Sequence, residues 1–176
     1  MTTGSMEPPA LSTFAPLATF ARRLNAMPPD CSKWTEEEVG KAVLDASFKV
    51  HTTLGPGLLE SVYEAALAIE LRKRGLHVET QVPIPVFYEG ERLDVGFRAD
   101  LLVERRVLVE LKSVETVTPL FKKITTNYLK LIPLRLGFLI NFNEAHLKDG
   151  ILRVVNGLEG KPCFPPSPSS RPSRDN

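Results

Sequence analysis

Two apolar runs, Phe97 to Val103 and Val107 to Val114, flank the short polar stretch Glu104-Arg105-Arg106, and no other feature constrains the fold as much. Each run has the length of a strand, and so short a gap makes the two pair antiparallel as a hairpin. Side chains alternate along a strand. Phe97, Ala99, Leu101 and Val103 therefore share one face with Val107, Val109 and Leu111, and that face is expected to be core. Asp100, Glu110 and Lys112 share the other. A hairpin centred on Arg105 sets Asp100 directly opposite Glu110, with Cβ atoms about 4.5–5.5 Å apart.

Two carboxylates that close repel unless something positive lies between them. Lys112 is one candidate, and a divalent cation is the other. Magnesium binds through one or two carboxylates, waters and substrate phosphate oxygens. Held there, it polarises a phosphodiester and lowers the pKa of a bound water. Lys112 is then placed to orient that water or to offset developing negative charge. The plainer alternative is a solvated hairpin face, for which a Glu-x-Lys pair is unremarkable. The setting of Glu110 argues against it, because Leu108-Val109-Glu110-Leu111 buries a carboxylate in a hydrophobic strand, which is costly unless the group is paired. Asp94 is expected in a loop.

Around the hairpin the pattern is that of an α/β domain. Thr35 caps a helix with Glu38 as its capping-box partner, and Val39, Ala42, Val43, Ala46 and Val50 follow at helical spacing. Gly55-Pro56-Gly57 breaks the chain. A second helix is predicted from about Leu58 to Arg74, ended by Gly75. Val82 to Tyr88 reads as an edge or irregular strand because of Pro83 and Pro85, and Glu89-Gly90-Glu91 as a turn. A third helix over about Pro119 to Leu131, a buried strand over Leu136 to Phe142 and a short strand over Ile151 to Val155 complete the domain.

Composition narrows the rest. The net charge of +1 means that any nucleic-acid surface is local. Two cysteines, Cys31 and Cys163, stand far apart near the ends, which excludes a disulfide framework and fits a reducing compartment, so a cytoplasmic location is expected. No stretch approaches the roughly 20 apolar residues needed to span a bilayer. The first 32 residues resemble a transit peptide in being poor in acids, but their prolines interrupt any long helix, and a disordered extension is expected. Residues 159–176, rich in Pro and Ser, read as a disordered tail. The folded domain is expected over 33–158.

Gly57-Leu58-Leu59-Glu60-Ser61-Val62-Tyr63 matches a GxxExxY signature, and Asp100 followed by Glu110-Leu111-Lys112 matches a D…ExK core. With Leu54 to Leu58, Arg98 to Val103 and Gly137 to Phe142, these stretches resemble the GxxExxY proteins of the PD-(D/E)XK nuclease superfamily from about Trp34 to Val155. The resemblance implies a three-layer α/β/α sandwich with a mixed central sheet. It implies a Mg2+- or Mn2+-dependent nuclease acting on DNA in preference to RNA, with Asp100, Glu110 and the Leu111 carbonyl as metal ligands and Lys112 as the catalytic lysine. It also implies Glu60 as a further catalytic acid from the first core helix. The residues themselves place Glu60 on the inward face with Tyr63, Leu67 and Leu71, although a first-turn carboxylate is also favoured by the helix dipole alone. Gly57, Tyr63 and Tyr128 belong to the structural signature, and for Tyr63 core packing is the plainer role. His51 matches a position where the family often has histidine, though it could simply cap the first helix.

The chain departs from the family pattern at Ile124, where a glutamine usually stands four residues before the tyrosine of the third helix, here Tyr128. Asn127 lies on a different part of the helix and does not substitute. Phosphate contacts are expected from Lys122, Lys123, Lys130 and Arg135, with Arg72-Lys73-Arg74 as a further basic run; the alternative for all of them is a solvated face. The partner expected is nucleic acid, without a membrane, and the sequence leaves oligomeric state open. Ile124 motivates a second expectation, a nucleic-acid-binding protein with weakened or no turnover. A protein-docking role for the Pro-rich tail ranks last, since it leaves the paired carboxylates unexplained.

Overall fold

The computed structural model describes residues 34–157 apart from Gly90, Asp94, Val95 and Pro133. The expected N-terminal extension and C-terminal tail, Gly90 of the predicted turn and the predicted loop residue Asp94 lie outside those residues.

Helix α1 (Glu36–Leu54) opens with the expected capping box, Thr35 and Glu38 each satisfying the other's backbone N–H, and buries Val39, Val43, Ala46 and Val50. Helix α2 (Glu60–Lys73) starts slightly later than predicted, because Leu58 and Leu59 remain in the loop. It ends as the glycine predicts. Gly75 is at φ +81°, and the bonds Gly75 N–H to Arg72 C=O and Leu76 N–H to Leu71 C=O close a Schellman motif.

Among the described residues seven strands follow: β1 (Val78–Ile84), β2 (Phe87–Tyr88), β3 (Glu91–Arg92), β4 (Phe97–Val103), β5 (Val107–Lys112), β6 (Leu136–Asn141) and β7 (Ile151–Val155). The main sheet has the order β1-β4-β5-β6-β7, and β2 and β3 pair separately. Only β5 and β6 run parallel, joined by helix α3 (Pro119–Leu131), so the sheet is mixed. β1 begins earlier than predicted because Glu79, Thr80 and Gln81 lack an apolar signature, yet its edge position agrees with Pro83.

Helices α1 and α2 cover one face of the sheet and α3 the other, giving the expected α/β/α layering. The β4–β5 register is the predicted one: Leu101 faces Val109 and Val103 faces Val107. Carried one residue further, it sets Asp100 opposite Glu110. The turn holds Glu104 and Arg105 both at φ +51°, a type I′ conformation adopted without glycine.

The prediction of a single core face needs correction. Leu101, Val103, Val107, Val109 and Leu111 do pack under α1 and α2, but Leu102 and Leu108, on the opposite face, are equally buried under α3. A sheet with helices on both sides buries both faces. Ala99, expected beside Leu101, instead joins the α3 side with Ile84, and Phe97 is about half exposed. The change of side falls where Gln81 of β1 lies opposite Asp100. Thr80 pairs with Leu101 and Val82 with Ala99, and Gln81 between them is at φ +52°. A left-handed residue costs a non-glycine roughly 1–2 kcal/mol and rotates the strand beyond it.

Candidate metal centre

Lys112, at the C-terminal end of β5, is the hub of the charged cluster. Its ammonium lies 3.0 Å from Glu110 Oε1 and 3.5 Å from Glu60 Oε1, and donates to the Leu111 carbonyl at 2.6 Å. The Phe121 ring of α3 lies beneath it, 5.6 Å from Nζ to the centroid. Burial works against the charged amine, but Glu110, Glu60 and Asp100 outweigh it and raise the Lys112 pKa overall.

The α1–α2 loop brings Glu60 here. Tyr63 stacks on Phe142, donates its hydroxyl to Gly55 C=O at 2.6 Å and accepts from Leu58 N–H at 3.1 Å. Ser113, just past β5, donates to the Leu58 carbonyl at 2.6 Å. The loop is thus pinned to both α2 and the end of β5, with Gly57 at φ +91° completing its turn. Tyr63 is therefore a core residue with a satisfied hydroxyl. His51 stays apart, its Nε2 within 2.8 Å of Glu144 C=O.

Asp100 is held by neutral donors: Leu111 N–H to Oδ2 at 2.7 Å and Gln81 Nε2 to Oδ1 at 3.4 Å. Glu110 is 7% exposed, and while Oε1 meets Lys112, Oε2 is buried with no hydrogen-bond partner. Burial, reinforced by the negative charge of Asp100 and opposed by Lys112, pushes the Glu110 carboxyl up to about 7. Tyr128 feels the same field: burial, then Glu110 and Asp100, raise its phenol to about 12. Its ring packs against Phe97, 5.2 Å between centroids.

This arrangement tests whether a cation fits. A buried carboxylate oxygen without a partner is costly, and the single ammonium nearby reaches only its twin. The Lys112 carbonyl is taken by Phe142 N–H, whereas the Leu111 carbonyl turns toward the Lys112 ammonium and so into the cluster. Among the described residues no group of three or more His, Cys, Asp and Glu side chains forms a ready-made ion site. Two carboxylates and one carbonyl match a hard cation that keeps most of its shell for water and phosphate. The donor set fits.

The basic residues divide. Lys122 and Lys123 are exposed in the first turns of α3, beside Phe121 and hence at the cluster's end of the domain. Lys130 is roughly 11 Å further along the helix. Arg135 precedes the start of β6, which pairs with Val107, whereas Lys112 pairs with Asn141 at the other end of that strand. Arg72 and Arg74, at the far end of α2 from Glu60, donate to the carbonyls of Val78 and Ala42.

Ile124 is half-buried against the α3-side core. The sequence reading missed Gln81, Glu64 and Phe121. Glu64 stands one turn beyond Glu60 and accepts from Gln81 at 2.6 Å; burial, with Asp100 and Glu60 adding to it against the Gln81 bond, raises its pKa. Asn141 was missed too, although a polar residue inside the apolar run Leu136 to Phe142 was a visible signal. Its amide exchanges hydrogen bonds with Val114 N–H and C=O at 3.0 and 2.8 Å, tying β6 to the chain leaving β5.

A family model described as the PD-(D/E)XK nuclease superfamily matches residues 37–154. The chain belongs to the PD-(D/E)XK nuclease superfamily. No curated protein and no solved structure matches it. Superfamily nucleases generally use divalent metal ions and act on nucleic acid. Asp100 and Glu110-Leu111-Lys112 lie within the matched residues. Among the described residues no helix is long and apolar enough to cross a membrane.

Proposed function

We propose that this chain is a Mg2+- or Mn2+-dependent phosphodiester hydrolase of the GxxExxY type. Its domain spans 33–158, its location is cytoplasmic and its substrate is DNA in preference to RNA. One observation carries the proposal: the buried, unpartnered Oε2 of Glu110, on a carboxyl raised to about 7, beside Asp100 and Lys112. Asp100, Glu110 and the Leu111 carbonyl would hold the ion, which when bound polarises the scissile phosphate and acidifies a water.

The chain's own residues do the rest. Lys112, kept charged by three carboxylates, offsets the negative charge that develops on the phosphate. Glu60 holds Lys112 from the helix side. Lys122 and Lys123 are the basic residues nearest the cluster and would take flanking phosphates, while Lys130 and Arg135 would serve only a substrate long enough to reach the far end. The preference for DNA rests on the family resemblance, and the cytoplasmic location on the sparse cysteines.

A second reading, nucleic-acid binding with weak or no turnover, is favoured by Ile124, an apolar residue half-buried against the core where a polar one would meet water or substrate. Incubating plasmid, single-stranded DNA and RNA with purified protein and Mg2+ or Mn2+ separates the two. Cleavage that Lys112→Ala abolishes supports the nuclease. Salt-sensitive binding with no cleavage supports the second reading.

A further inference from the structure

We infer that Gln81 is a positioning residue that sets the Asp100 carboxylate for cation binding. This rests on the metal reading above and deepens it.

Gln81 sits in the edge strand β1, directly across from Asp100. Its amide nitrogen has two protons and two anionic neighbours: Glu64 Oε2 at 2.6 Å and Asp100 Oδ1 at 3.4 Å. With Leu111 N–H on Oδ2 at 2.7 Å, both oxygens of Asp100 have a neutral donor from a neighbouring strand. The carboxylate plane is thereby fixed while its charge is left uncancelled, and each oxygen keeps a lone pair for an ion. Groups of this kind hold a metal ligand without touching the metal.

The backbone argues the same way. Gln81 adopts φ +52° in mid-strand, a conformation that favours glycine, asparagine or aspartate, and no inserted residue accounts for it because the β1–β4 register is unbroken on either side. A strained residue with a long amide, aimed at two carboxylates, is kept for what its side chain reaches. Glu64 fixes the far side of the amide. Were Gln81 absent, Glu64 and Asp100 would face each other with no proton between them, and burial already raises the Glu64 pKa.

Strain and reach can be separated experimentally. Gln81→Gly accepts the left-handed backbone but has no amide, and Gln81→Met fills the space without donating. Mn2+ alone is titrated by calorimetry into the full-length wild type, both variants and Asp100→Asn, with thermal melting of each. The expected result is wild-type binding that depends on Asp100, affinity about tenfold weaker in both Gln81 variants, and a Gln81→Gly melting temperature equal to or above wild type. If Gln81→Gly binds Mn2+ as wild type does, Gln81 matters only for backbone shape and the inference is overturned. Mn2+ binding that depends on Asp100 but keeps wild-type affinity in both Gln81 variants overturns it alone. Wild-type binding indifferent to Asp100→Asn overturns the metal reading together with it.

Discussion

One hairpin carries two buried glutamates with opposite fates. Glu104, in the turn, is 9% exposed; its Oε1 accepts His77 N–H at 2.6 Å and its own N–H donates to His77 C=O at 2.9 Å. Glu110, on β5 toward the other end, is equally buried, yet half of its carboxylate meets nothing and its pKa rises to about 7. Folding uses the first to close a turn against the chain before β1. The second opposes folding. A glutamate that local structure does not satisfy, next to Asp100 and Lys112, is where the proposed ion would bind, and that contrast sets the two glutamates apart within a single supersecondary unit.

The comparison breaks most visibly in activity. Lys112→Ala is expected to reduce cleavage of plasmid DNA in Mg2+ by about 10³-fold, whereas Glu104→Gln leaves the rate within about threefold. A gel assay on both variants checks the pair.

Stability against pH sharpens it further. The Glu110 pKa is raised from its unfolded value, so the folded state binds the extra proton between about pH 4.5 and 7. Stability of the metal-free protein therefore falls as pH rises through that window, and the loss is complete above it. Glu64, also raised, acts in the same direction. Glu110→Gln is expected to unfold later than wild type at pH 8 in EDTA, by roughly 2–3 kcal/mol, and to show a flatter profile from pH 5 to 8 in urea melts. Glu104→Ala should do the reverse, losing roughly 1–2 kcal/mol at every pH in that range by stranding the His77 N–H.

The smallest effect expected is at Tyr63. Tyr63→Phe removes two hydrogen bonds from the α1–α2 loop, costs about 1 kcal/mol and loosens the approach of Glu60 to Lys112. A modest fall in cleavage rate with unchanged Mn2+ affinity is the expected signature.

How much of this was legible beforehand depends on the range of the interaction. The hairpin register, the capping box and the Gly75 stop are local, set by spacing and backbone chemistry, and the sequence pattern predicts them. Glu60 could be placed on the inward face of α2, but its meeting with Lys112 depends on the pinned loop. Gln81 carried no signal, since an exposed glutamine on an edge strand looks like solvent-facing filler, and only the register places it opposite Asp100. The change of face that takes Phe97 and Ala99 out of the predicted core falls at the level of the same left-handed residue, and a strict alternation rule does not anticipate it. The basic residues lie close together in the sequence, but the direction of α3 and β6 sets Lys130 and Arg135 away from the cluster.

The central claim is that Asp100, Glu110 and the Leu111 carbonyl hold a divalent ion beside Lys112. Anomalous diffraction from crystals grown with Mn2+ tests it directly. The account predicts a manganese peak in contact with Asp100, Glu110 and Leu111, with the Lys112 ammonium adjacent and moved off the Leu111 carbonyl. Saturating Mn2+ that leaves the Glu110 Oε2 without a neighbour, or binds elsewhere, would contradict it.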